Sequence, residues 1–247
     1  MSTWILVARY HLFRKYFYLV LPWAWTAFGF AVDLIIFALI PVSHGHHWVI
    51  TAHGLAQVRN APSPRDAGGL AGIVIVYLVL GAASIAQGLP FALALGVSRR
   101  SYYAGTALLA VALAAGNGLA ITALQAIERA TGGWGESAHV FRVPYLLDGP
   151  WYLTWLTSSV ALALLFGYGM WCGVVYRRWN LPGMMAFAAV QVTVLLAAGL
   201  LITWSRAWAG TGHFFTALSA AGLTGLLAAL TAVLLAGGYA TIRRATV

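Results

Sequence analysis

An all-α, polytopic membrane protein with six transmembrane helices is the fold class this sequence predicts, and three observations carry it. The chain of 247 residues is 62% hydrophobic and only 8% charged, with a mean hydropathy of +0.84, far from the composition of soluble domains. Its apolar residues fall into runs of bilayer length, and only helices or closed barrels satisfy every backbone hydrogen bond in hydrocarbon. The basic residues gather in short clusters between those runs, so the net charge of +9 reads as a topology signal and not as affinity for nucleic acid.

Taken in order, the first element is an interfacial helix over 4–18. It sets Ile5, Leu6, Tyr10, Leu12, Phe13, Tyr16 and Phe17 on one side and His11, Arg14 and Lys15 on the other, with Arg9 interrupting the apolar side. Six spans follow at approximately Leu19 to Val42, Gly69 to Gly96, Ala104 to Ile127, Trp151 to Val175, Leu181 to Trp204 and Phe214 to Tyr239. They make residues 1–247 a single transmembrane domain. The first apolar run is too long for a signal peptide and lacks an Ala-x-Ala cleavage pattern, so it reads as a retained span. Pro22, Pro41 and Pro90 lie near span ends, where a lost backbone hydrogen bond is easily replaced.

Orientation follows from the basic residues. With the N-terminus inside, Arg9, Arg14, Lys15, Arg99, Arg100, Arg177, Arg178, Arg243 and Arg244 all face the cytoplasm without one carboxylate among them. Arg59, Arg65, Arg129, Arg142 and Arg206 then fall outside, mixed with Asp66, Glu128, Glu136 and Asp148. Both termini are therefore expected in the cytoplasm, and Trp23, Trp25, Trp151, Trp155, Trp204 and Trp208 near span ends fit a headgroup belt.

Inside the spans, Asp33 is the formally charged residue placed deep, at a cost of roughly 2.5 to 3.5 kcal/mol on the insertion scale. Residue counting puts Asn117 at the same depth as Asp33. With Gln87 and Gln191 these residues form a possible translocation path; the competing reading makes the intramembrane polar groups interhelical glue. Gly81, Gly116, Gly118, Gly167, Gly169 and Gly173 permit close helix approach, and Gly169 to Gly173 matches Gly-x-x-x-Gly. The single cysteine, Cys172, reads as packing. His44, His46, His47 and His53 read as a headgroup-side loop, since a metal centre there needs three or four convergent imidazoles. No metal and no cofactor is expected in this chain. The loop from Glu128 to Pro150 is a candidate cap for the outer mouth.

The turn Gly96-Val97-Ser98-Arg99-Arg100-Ser101-Tyr102-Tyr103 places Ser98 as a cap for a short helix that starts with two cations, against the helix dipole. The stretch Ala94 to Gly105 resembles the first cytoplasmic loop of the six-span permeases of bacterial ATP-binding-cassette exporters, and Ile242 to Val247 resembles their C-terminal tails. That resemblance implies a coupling helix docked on a separate ATPase through Ser98, Arg99, Arg100 and Tyr102. It also implies a second permease copy or paralogue around a central path, membrane lipids as the remaining partners, and the bacterial cytoplasmic membrane as location. The solute implied is hydrophobic and lipid-, peptide- or drug-like. The short stretch from Ser205 to His213 departs from relatives that carry re-entrant helices there. Tyr176 to Pro182, the second inside turn, reads as a tight membrane turn.

No phosphate loop exists in the chain, whose one lysine, Lys15, lies between Arg14 and Tyr16. ATP and its magnesium ion would sit on the partner, and the chain is not expected to be an enzyme. A serine-protease pairing of Ser84 with His213 is not expected, because Ser84 reads as deep toward the inner side and His213 as outside. The alternative is an ion-coupled carrier or channel using Asp33, whose transport would follow pH or an ion gradient and ignore ATP.

Overall fold

The computed structural model describes residues 16–39, 44–51, 54–62, 65–66, 69–134, 138–141 and 150–244. Most of the expected interfacial helix over 4–18, together with His53 and Asp148, lies outside the described residues. The architecture is a helical bundle, and among the described residues five helices are long and apolar enough to cross a membrane.

The first opens with a π turn, Tyr16–Val20, and continues as α1, Leu21–Leu39. Tyr16, Phe17 and Tyr18 thus belong to the opening turn of the span and not to a separate interfacial helix. The second crossing combines α2, Gly69–Ala83, a π turn, Ser84–Gly88, and α3, Leu89–Ala94. Pro90 explains the interruption: it has no N–H for a carbonyl one turn back and its ring crowds that turn, so the helix widens there. α4, Arg99–Ala130, is continuous over 32 residues.

α5, Trp151–Trp204, holds 54 residues in one run of helical hydrogen bonding. A straight helix of that length would extend about 80 Å, far beyond a hydrocarbon core of about 30 Å. It is not straight, because Asn180 has φ 53 and ψ −153. The Tyr168 hydroxyl donates to Gln191 Oε1 at 2.6 Å, and the Phe187 ring meets Tyr168 at 6.4 Å and Trp171 at 5.5 Å between centroids. Along a straight helix Tyr168 and Gln191 would stand about 35 Å apart. α5 is therefore a hairpin of two antiparallel arms with a one-residue corner, and Pro182 sits in the first turn of the second arm, where an N–H is dispensable.

α6, Trp208–Ala217, and α7, Ala220–Arg244, complete the chain. The last span therefore begins at Ala220 and not at Phe214. Leu218 is extended, and Ser219 accepts a hydrogen bond from Gly222 N at 3.1 Å, which caps α7. The stretch after the second arm, expected to be a short link, holds the ten-residue α6.

The core lies where α2, α4 and the first arm of α5 meet, around Tyr77, Leu80, Tyr102, Phe166 and Met170. α2 and α5 touch backbone to backbone: a Cβ on Gly81 would strike the Phe166 carbonyl, and one on Gly169 would strike the Leu78 carbonyl. Gly173 packs on Ala82 and Ile85, Gly118 on Ser159, and Gly167 on Leu235, whereas nothing lies within 4 Å of a Cβ on Gly116. Outside the helices, β1, His44–Thr51, pairs antiparallel with β2, Gly54–Pro62, and β3, Arg65–Asp66, pairs parallel with β4, Ala138–His139.

Candidate functional site

Two features stand out, a basic end and a polar seam. The basic end is built by the turn from α3 into α4. Gly96 adopts φ 80, and Val97 N donates to Ala92 O and Gly96 N to Leu93 O, both at 3.0 Å. This is a helix stop that favours glycine. Ser98 then caps α4 directly, accepting from Ser101 N at 3.2 Å. The expected short coupling helix is thus the first turn of the span itself, which carries Arg99 and Arg100.

Tyr102, expected as a surface contact, is 0% exposed, and its hydroxyl donates to the Ser84 carbonyl at the head of the π turn. The reason is angular: successive residues on a helix turn by about 100°, so Tyr102 faces the bundle while Arg100 faces out. Tyr103 is also buried, and its hydroxyl donates to Leu235 O at 2.8 Å. The Arg100 guanidinium lies 6.0 Å from the Tyr239 ring centroid, a cation–π contact that brings the start of α4 to the end of α7. α7 runs on to Arg243 and Arg244. At the α5 corner Arg177 and Arg178 are exposed, with Arg178 4.7 Å from the Trp179 centroid. The contacts of Gly173 with Ala82 and Ile85 hold that corner at the same end of the bundle. Three basic segments therefore share one end, and none of the five carboxylates in the sequence falls in them.

The polar seam runs between α2, α4, the first arm of α5 and α7. Asn117 Nδ2 donates to the Tyr77 hydroxyl, which donates to Leu113 O at 3.0 Å. Trp155 Nε1 donates to Ala115 O at 2.9 Å, so this indole serves a helix contact and not a headgroup belt. The Thr157 and Thr224 hydroxyls share a hydrogen bond of 2.6 Å. The buried hydroxyls of Ser158 and Ser159 have no hydrogen-bond partner among the described residues.

These contacts do not bring the four path candidates together. Gln191 is bonded to Tyr168 inside the α5 hairpin, and Gln87 is exposed on the π turn. Asp33 is half-buried on α1, one turn beyond Phe30. The Gly72 position of α2 meets the Trp25 carbonyl of α1. From that crossing Asp33 lies toward the distal end and Tyr77, with Asn117, toward the basic end. Asp33 and Asn117 are thus separated in depth by on the order of 20 Å, and the equal depth read from residue counting is incorrect.

In this arrangement Asn117 ties α4 to α2 through the Tyr77 hydroxyl. Asn117→Leu leaves Tyr77 its acceptor on Leu113, so the expected loss is about 0.6 kcal/mol and at most about 1.7 kcal/mol. A small fall in the thermal midpoint in detergent is the readout. A larger fall would mean that the seam is more cooperative than its bonds imply.

His44, His46 and His47 lie on β1, whose side chains are outside the description. Ser84 is bonded to its own helix at Gly81 O, 2.7 Å, while His213 is exposed on α6. Residue reasoning missed Glu128, which is 2% exposed and whose Oε2 accepts from Trp134 Nε1, Val140 N and Phe141 N at 3.0, 3.0 and 2.9 Å. Its signal was present: an acid in the last turn of a helix opposes the dipole and needs compensating donors.

No protein-family model, no curated protein and no solved structure matches this chain.

Proposed function

We propose that this chain is the permease subunit of an ATP-binding-cassette exporter, driven by a separate cytoplasmic ATPase. On this reading both termini and the basic end face the bacterial cytoplasm. The two arms of α5 cross separately, which raises the five long helices to six crossings.

The observation that carries the proposal is the basic end. Ser98 fixes the start of α4 so that Arg99 and Arg100 lie beside the α7 terminus, in a region without carboxylates. Cations at a helix N-terminus are unfavourable by a few tenths of a kcal/mol to about 1 kcal/mol each, a cost that an acidic partner surface offsets. The contact set is Ser98, Arg99 and Arg100. Tyr102 supports it from inside the bundle.

The second arm of α5 and much of α7 present apolar side chains outward, Leu195 at 72% exposed and Val233 at 68% among them. Lipid and a second permease copy are the covers this reading requires. The solute class, hydrophobic and lipid-, peptide- or drug-like, comes from the resemblance of residues 94–105.

The test is co-purification of the tagged chain from its native host in mild detergent. A stoichiometric ATPase with a phosphate-loop motif is expected, and Arg99→Glu with Arg100→Glu should remove it while the chain stays monodisperse. An intact preparation without such an ATPase would shift the reading to an ion-coupled carrier with Asp33 as its ion site.

A further inference from the structure

The corner of α5 takes no part in the proposed ATPase contact, yet it presents two adjacent arginines at the tip of a helical hairpin. Arg177 and Arg178 are exposed, and so are Tyr176 and Trp179 on either side of them. Their charge has no counterpart nearby in the chain. No Asp or Glu follows Asp148, so the hairpin and α7 are entirely without carboxylates. Glu128, in the last turn of α4, lies on the order of 40 Å away at the opposite end of that helix. Whatever meets the corner charge comes from outside this half of the molecule.

The corner also holds its cation in a fixed place. Gly183, in the first turn of the second arm, makes room for Trp179, since a Cβ at 183 would strike the Trp179 side chain. The Trp179 ring in turn carries the Arg178 guanidinium, 4.7 Å from its centroid. A cation–π contact engages the face of a guanidinium and leaves the N–H donors on its edge for a phosphate, whose oxygens they fit in pairs.

The surface below the corner selects among anions. Leu181, Met185, Val192 and Leu196 are all exposed, and at about 100° per residue they fall on one face of the second arm. That face is an apolar strip leading away from the arginines. A ligand with an anionic head and acyl chains meets both features, whereas a soluble acidic partner meets only the first. A tryptophan beside the arginines suits the headgroup level of a bilayer.

We infer that the α5 corner is a binding site for an anionic phospholipid. Arg177 and Arg178 take the headgroup phosphate beside the Trp179 indole, and the acyl chains lie along the outer strip of the second arm. Net negative charge is the selected property, because a phosphocholine head would bring its own cation to the two already there. The site requires neither an ATPase nor a transported solute; on the exporter reading the lipid belongs to the cytoplasmic leaflet.

The test uses the full chain in a neutral detergent, freed of native lipid, with bound lipid counted by native mass spectrometry. Phosphatidylglycerol and phosphatidylcholine with the same dioleoyl chains are the probes. Phosphatidylglycerol should bind about thirtyfold more tightly, taking about fivefold per arginine near an anionic head. Arg178→Gln should weaken it about fivefold, and Arg177→Gln with Arg178→Gln should bring it to the level of phosphatidylcholine. Arg206→Gln removes one charge from an exposed position beyond the far end of the second arm and should leave both affinities unchanged. Glycerol 3-phosphate, a head without chains, should not compete at the same concentration as the lipid. Equal binding of the two lipids overturns the site, as does a loss with Arg206→Gln that matches the loss with Arg178→Gln. Competition by glycerol 3-phosphate overturns the assignment to lipid. If the double variant is not monodisperse, Arg178→Gln alone decides. No ATPase enters the measurement, so its failure is distinct from failure of the exporter reading.

Discussion

Leucine at Gly169 is expected to leave no folded, monodisperse protein. A Cβ at this position would meet the Leu78 carbonyl and Ala82 N, and across the same contact a Cβ on Gly81 would meet the Phe166 carbonyl and Met170 N. The obstruction is backbone on both sides, so no rotamer change relieves it. Overpacking in a core costs about 1–3 kcal/mol even where side chains can shift. Forcing α2 and α5 apart also strips packing from Tyr77, Leu80, Phe166 and Met170, which are all buried at this seam. A loss of several kcal/mol is a large part of a total stability of about 5–15 kcal/mol. Size-exclusion elution and the thermal midpoint in detergent are the measurements, with Gly116→Ala as control. Nothing lies within 4 Å of a Cβ on Gly116, so that change should be neutral or stabilising by up to about 1 kcal/mol. A folded Gly169→Leu protein with an unshifted midpoint would refute the close crossing.

The glycines show what is legible in a sequence and what is not. Gly169 and Gly173 form a recognisable small-residue pair, but the surface they fit, Gly81, Ala82 and Ile85 on α2 and the following π turn, is a property of the fold. Apolar runs reveal where helices cross because transfer free energy depends on composition. They do not reveal where hydrogen bonding breaks inside such a run. The apolar residues of α6 therefore merged with the last span, although Ser219 is a cap that marks the true start. Tyr102 stands beside two arginines in sequence yet faces the core. Asp33 and Asn117 match in residue count, but the crossing of Gly72 with Trp25 sets a different register. At the distal end, the triple acceptance by Glu128 joins residues 12 and 13 positions apart, beyond the reach of any local pattern.

Proline at Asn180 is expected to abolish the α5 hairpin, whereas glycine there should preserve it. The corner has φ 53 and ψ −153 at this one residue, a conformation that glycine adopts freely and that a residue with a side chain holds only where its surroundings impose it. Proline holds φ near −65°, so the chain would leave the first arm in another direction. The second arm would then lose the Tyr168 to Gln191 hydrogen bond and the Phe187 contacts with Tyr168 and Trp171. A pair of cysteines, Tyr168→Cys and Gln191→Cys, in a chain carrying Cys172→Ala, reads the geometry directly. A short bifunctional thiol reagent should bridge the pair with asparagine or glycine at position 180 and should fail to with proline; a direct disulfide is not the readout, because side chains that meet tip to tip hold their Cα atoms beyond its reach. Because Tyr168 and Gln191 would stand about 35 Å apart on a straight helix, the cross-link separates a folded-back α5 from a continuous one. Its presence in the unaltered corner is also the structural condition for six crossings, since only a hairpin lets α5 span a bilayer twice.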